Sequence, residues 1–168
     1  MREDTRPKGE FEEKVIQVRR VSKKTKGGNT IGFSVLVVVG NKKGKVGVAL
    51  GKAPDVVGGI RKGMLAAKKR WVKVPLKEGR TIEHEVRVKK GGAQVLLKPA
   101  PAGSGVIAGG AVRQVLEVAG VRDVSAKILG SANAVGNAYA TVAALEGLTQ
   151  AAKRRKQRGK QRGKNEGR

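Results

Sequence analysis

The chain has 168 residues and carries 37 Lys and Arg against 13 Asp and Glu, a formal net charge of +24, where soluble domains are comfortable at a magnitude of roughly 2 to 8. An excess of that size calls for a polyanion. Cysteine is absent and histidine occurs once, at His84, which excludes disulfides, thiolate metal sites and multi-histidine clusters, so no metal or cofactor is expected.

No apolar run approaches the ~20 residues of a spanning helix, and the opening MREDTRPKGEFEEK is no signal peptide. The expected partner is therefore nucleic acid rather than membrane, and the expected compartment is the cytoplasm. Only four aromatics occur, Phe11, Phe33, Trp71 and Tyr139, which speaks against a base-stacking platform and for recognition of backbone and shape. The aliphatic content suits two small cores better than one large one.

In chain order, a mixed-charge extension over residues 1–13 precedes KVIQVRRV, a predicted strand. RRVSKKTKGGNT, residues 19–30, reads as a loop with five cations, Arg19, Arg20, Lys23, Lys24 and Lys26, and no acid. TIGFSVLVVVG follows as a central strand: Ile31, Phe33, Val35, Val37 and Val39 make one face fully apolar, and Leu36 and Val38 make the other partly so. NKKG is a turn, and KVGVALG returns as a partner strand with Val46, Val48 and Leu50 on one face.

Pro54 is expected in the first turn of a helix whose buried stripe is Val56, Ile60, Met64, Ala67 and Trp71. Its outward face holds Arg61, Lys62, Lys68, Lys69 and Arg70. Together with Lys52 and the loop cations, Arg61, Lys68, Lys69 and Arg70 are the candidate phosphate-binding residues. This closes a first domain, residues 14–75, of order β-β-β-α.

A second domain, residues 76–152, restarts after Pro75 and a turn at residues 77–80. TIEHEVRVKK alternates Ile82, His84, Val86 and Val88 against polar neighbours, and AQVLLKPA is its hairpin partner. The loop PAGSGVIAGGA leads into a helix with Val112, Val115, Leu116 and Ala119 inward and Gly120 as its stop. A short strand follows in VRDVSAKILGSAN, with Ser125 as a candidate cap, and a last helix spans residues 134–152. The order is β-β-α-β-α, and the fold class of the whole is α+β. Residues 153–168 hold nine cations and one acid and no aliphatic side chain, which predicts a disordered basic tail.

No catalytic set emerges. GVALGKA has three residues between its glycines where a phosphate loop needs four, and Ala53 lacks the hydroxyl that would hold magnesium. GSGVIAG misses the dinucleotide fingerprint by one position, although an RNA phosphate could sit at the helix start that follows it. Glu83 and Glu85 fall on the opposite strand face from His84 and cannot orient its ring. Ser104 and Ser131 have no second histidine to activate them.

VRRVSKKTKGG, VVVGNKKGKVGVALGKAPDV and GSGVIAGGAVRQVLEVAGVRDVSAKILGSAN, in that order, resemble the bacterial small-subunit ribosomal protein S-five family over about residues 10–150. The resemblance implies a first domain like the double-stranded RNA-binding fold without its leading helix. It implies a second α/β domain with a left-handed crossover, against the usual hand. The implied role is a non-enzymatic, ribosomal RNA-binding constituent of the small subunit, supporting assembly and influencing decoding fidelity, with no small-molecule substrate.

By the same resemblance, Ser22, Lys23, Lys24, Thr25, Lys26, Gly27 and Gly28 reach ribosomal RNA near the decoding centre and the spectinomycin site. Gly103, Gly105 and Arg113 dock on protein S-four, and Ser131 and Asn133, in GSAN, lie near protein S-eight. Three departures stand out. Val48 and Leu50 replace aromatics frequent in relatives; Asn133, Ala134, Val135 and Gly136 replace Asn-Pro-Ile-Asn, the second Asn being lost or shifted to Asn137; and the basic tail lies outside the match. Two rival readings are a free-standing double-stranded RNA binder and a small phosphotransferase built on the second domain.

Overall fold

The structure, a computed structural model, describes the backbone of residues 11–165 and the side chains of residues 11–151. The expected extension therefore lies outside the described residues up to position 10. Among the described residues, two four-stranded sheets and three helices make an α+β fold.

In the first sheet β1 (Glu12–Thr25), β2 (Gly28–Gly40), β3 (Lys45–Ala53) and β4 (Val72–Lys73) run antiparallel in that order, with α1 (Val56–Lys69) between β3 and β4. Residues 19–30 are therefore not a loop. Arg19 pairs with Ser34, Lys23 with Thr30 and Thr25 with Gly28, leaving only Lys26 and Gly27 as the turn. Repelling cations on adjacent positions do not prevent this, because successive strand side chains point to opposite faces.

Pro54 is not in the first turn of α1 but lies outside it, just before the N-cap, and the helix starts at Val56. Asp55 is its N-cap, accepting from the Gly58 amide at 2.6 Å, and so satisfies one of the free donors of the first turn. The expected stripe is also shifted. The fully buried helix positions are Gly59, Gly63 and Ala67, with Ile60, Met64 and Trp71 packed around them. A Cβ at Gly59 would stand 2.9 Å from Val35 Cγ2, and one at Gly63 2.9 Å from Val37 Cγ2; glycine lets the helix settle directly onto the valines of β2.

The second sheet has the order β5 (Val86–Lys90), β6 (Ala93–Pro99), β8 (Val124–Ile128) and β7 (Val106–Ile107). β5, β6 and β8 are antiparallel neighbours, and the two-residue β7 runs parallel to β8, joined to it through α2 (Gly110–Ala119). This is the connection for which a left hand is expected. Ser125 lies within β8 and not at the start of a helix. The strand expected from Thr81 begins only at Val86, because Thr81 pairs back with Lys77 and sends its hydroxyl to the Asp123 carbonyl at 2.6 Å.

The two units share one large core, and a second, smaller cluster lies between the first sheet and α1. β2 is apolar on both faces: Val35, Val37 and Val39 face α1, while Leu36 and Val38 join Val46 and Val48 against Ile82, Val112, Leu116, Leu145 and Leu148 of the second unit. Each such side chain contributes about 1.5–3 kcal/mol on burial, so the joint is a structural interior. Backbone bonds fasten it further. The amides of Lys42 and Gly44, in the β2–β3 turn, donate to the last carbonyls of α2 at Val118 and Ala119, at 3.1 and 2.9 Å. Gly120 ends that helix at φ +90, and a Cβ there would collide with the Lys42 carbonyl.

The last helix, α3 (Ala134–Asn165), runs past Ala152 into the segment expected to be disordered. Lys, Arg and Gln are good helix formers, extension of an existing helix avoids the nucleation cost, and cations suit a C-terminal end. Residues 166–168 of the expected tail lie outside the described residues.

Candidate nucleic-acid interface

β1 and β2 extend beyond the body as a two-stranded arm in which residues 18–31 are all exposed. Across the β1–β2–β3 register, Arg19, Ser34 and Lys52 form one cross-strand row. Alternation then puts Arg19, Val21, Lys23 and Thr25 on that face, and Arg20, Ser22 and Lys24 on the face that continues into Phe33, Val35 and α1. The arm is cationic on both sides. At its tip the Thr25 hydroxyl donates to the Gly28 carbonyl at 2.7 Å, and Gly28 holds φ +131, a conformation side-chain-bearing residues rarely adopt.

The sheet thus divides the expected phosphate-binding residues into two sets. Arg19, Lys23 and Lys52 share the face opposite α1, and a cavity of about 370 Å³ at the base of the arm is lined by residues of both faces, Lys23 and Lys52 together with Ser22, Ile31, Phe33 and Pro54. Arg20 and Lys24 share the α1 side with exposed Arg61, Lys69 and Arg70. Among the described residues none of these cations takes part in an ion pair. Lys68 stands apart: it is bonded to Glu13 at 2.8 Å and lies 5.9 Å from the Phe11 ring centre, so it is a weaker candidate. No Asp or Glu occurs between Glu13 and Asp55.

The expected protein-contact residues are engaged within the chain. The amides of Gly103 and Gly105 donate to Asp123 Oδ1 at 2.9 and 3.1 Å, while Asp123 Oδ2 accepts from Arg80 Nε at 3.2 Å. Asp123 is only 3% exposed. Burial pushes its carboxyl up, but the Gly105 and Gly103 amides and the Arg80 guanidinium outweigh that and hold it below the usual carboxylate range. The loop amides are thus taken by the chain's own carboxylate, while the start of α2 at Gly109 has no side-chain cap.

Arg113 is exposed but bonds through Nε to Glu117 Oε1 at 2.9 Å, and Glu117 Oε2 accepts from Lys14 Nζ at 3.0 Å. Lys14 lies 3.6 Å from Glu12, which pairs with Lys42 at 2.6 Å. The network ties α2 to β1 and to the β2–β3 turn. It holds Glu117 below the usual range, through Arg113 first and Lys14 second, and raises Lys14 through its bond to Glu117.

Ser131 and Asn133 form the start of α3. Ser131 Oγ accepts from the Asn133 amide at 3.2 Å, and Asn133 Oδ1 accepts from the Val135 amide at 3.2 Å. Asn137 is buried and donates Nδ2 to the Ser131 carbonyl at 2.9 Å; it therefore organises this turn from within the helix. Val48 and Leu50 belong to the interdomain core, away from the arm.

Sequence reasoning overlooked Asp123 and Glu117. The available signal was their isolation: with Glu146 they are the only acids between Glu85 and the basic C-terminal segment, and a lone acid among apolar neighbours is buried only when paired.

Residues 11–75 match the family model described as the N-terminal domain of ribosomal protein S5, and residues 88–158 match the one for its C-terminal domain. The small ribosomal subunit protein uS5 of Picosynechococcus is 55% identical over 82% of this chain and 80% of its own length. Those of Synechocystis and Synechococcus elongatus are 53% and 51% identical over 82% and 86% of this chain, each match covering 80% of the relative. The chain belongs to the ribosomal protein S-five family. The boundary between the two family domains falls in residues 76–87, where the chain leaves β4 and turns toward β5. Neither the free-standing RNA binder nor the phosphotransferase gains support from these matches.

Proposed function

We propose that the chain is a non-enzymatic structural constituent of the small ribosomal subunit, which binds ribosomal RNA, supports subunit assembly and influences decoding fidelity. One observation carries the reading: an arm exposed on both faces presents Arg19, Arg20, Lys23, Lys24 and Lys26 with no acid among them. Such an arm fits between phosphate strands rather than flat upon one, and its charges gain their interaction energy only when an external polyanion is bound. The shared interior behind it holds the arm's root rigidly.

The ribosome in the cytoplasm is the proposed location. Proteins S-four and S-eight are the proposed neighbours, at the α2 surface around Arg113 and at the Ser131 to Asn133 turn respectively. The terminal nitrogens of Arg113 are left for a partner carboxylate while Glu117 holds its Nε. Fractionation of a tagged chain tests the function: co-sedimentation with small subunits is expected. Binding to any duplex RNA without such co-sedimentation would favour the free-standing binder, and saturable binding of a nucleoside triphosphate with phosphoryl transfer would favour the enzyme.

A further inference from the structure

A second cavity, of about 520 Å³, lies between the edge of the first sheet and α3, and shares no residue with the cavity at the arm. Two of the four aromatics of the chain meet there. Phe11, 42% exposed, and half-buried Trp71 both line it, their ring centres 5.2 Å apart and their planes inclined at 35°. Lys45 and Lys73 stand at the same cavity, and the β3–β4 register sets them directly opposite each other.

Like charges facing across two strands repel, and among the described residues neither lysine has an ion-pair partner. The far wall, on α3, offers Glu146, Thr149 and Gln150, with the Thr149 hydroxyl already donating to the Lys73 carbonyl. An aromatic surface, two unneutralised cations and a wall of hydrogen-bonding groups are the components that bind an unstacked nucleotide: ring on ring, phosphate between lysines, base edge toward carboxylate and amide. The volume falls in the ~300–1,000 Å³ range of small-ligand sites, room for a nucleotide and too little for a duplex.

We propose that this cavity receives one unpaired base of a single-stranded RNA segment, stacked on Phe11 and Trp71 with its phosphate between Lys45 and Lys73. It is a second RNA site, of different chemistry from the arm, and it does not depend on the arm's role. An apolar side chain of a partner protein would use the rings but leave the lysine pair unrelieved.

Trp71 is the only tryptophan of the chain and reports directly. Titration of the full chain with a short oligoadenylate should quench its fluorescence saturably. Phe11→Leu, which keeps apolar bulk but loses the ring, should weaken that binding roughly 5- to 100-fold, the range of base–aromatic stacking, and Phe11→Tyr should restore it. Lys73→Gln should flatten the dependence of log affinity on log salt by about 0.7, one single-strand phosphate contact. Absence of quenching by oligoadenylate, equal affinity in Phe11→Leu, or quenching by an apolar peptide but not by RNA would each overturn the proposal.

Discussion

The arm and the loop that carries Gly103 and Gly105 invite comparison, because both combine glycines with groups that seek negative charge. In the loop the demand is met internally: two amides and Arg80 converge on Asp123, which is buried and ionised. In the arm five cations stand exposed, in a stretch without one acid from Lys14 to Pro54. The difference teaches how to separate charge that builds the fold from charge that awaits a partner. Where a carboxylate is within reach, a cluster of donors is a structural device; where none is, the cluster has no stabilising role and points outward. Arg113 lies between the two, half committed to Glu117.

The largest effect that can test this contrast is on stability. Asp123→Ala should lower the thermal midpoint by several degrees or more, since two amides and a guanidinium lose a buried partner, yet leave RNA affinity of the folded protein unchanged. A variant with unaltered midpoint would show that the loop does not depend on its carboxylate.

Acid titration sharpens the same point. Because the folded state holds Asp123 below the ordinary value, its contribution is present above about pH 4 and is lost as pH falls through the lowered folded value. The stability gap between the wild type and Asp123→Asn should therefore be constant near neutrality and narrow below about pH 4. A gap that narrows near pH 7 would assign the effect to another group.

Smaller changes are expected at the intermediate site. Arg113→Gln should cost about 0.3–0.5 kcal/mol, the usual worth of an exposed helical ion pair at that spacing, and should loosen association with the proposed neighbour, protein S-four. Full retention of that association would remove Arg113 from the interface. Smallest of all, Thr25→Val removes one exposed hydroxyl bond at the arm's tip and should change stability by no more than about 0.5 kcal/mol. A larger loss would mean that the tip is part of the folding unit.

How much of this was legible in the sequence follows from the range of the interactions involved. The core face of α2 and its stop at Gly120 rest on local periodicity and turn chemistry, and both stand as read. The family match adds the order of domains. The shared interior was hidden because Leu36 and Val38 cannot announce, from their own strand, that their face meets a distant helix. Charge repulsion suggested a loop at residues 19–30, but cross-strand pairing with an apolar strand decided otherwise. Asp123 was missed because its partners lie 18 to 43 positions away, beyond any local motif. The arm's cations were visible at once, because their significance lies in the absence of neighbouring acids, which a sequence displays directly.

The central claim is that the arm's unpaired cations bind RNA phosphates, and the dependence of affinity on salt measures this most directly. In Lys23→Ala, Lys24→Ala, Lys26→Ala the slope of log affinity for ribosomal RNA against log salt should flatten by roughly 2 to 3 units, while the thermal midpoint stays that of the wild type. An unchanged slope in a folded variant would contradict the claim.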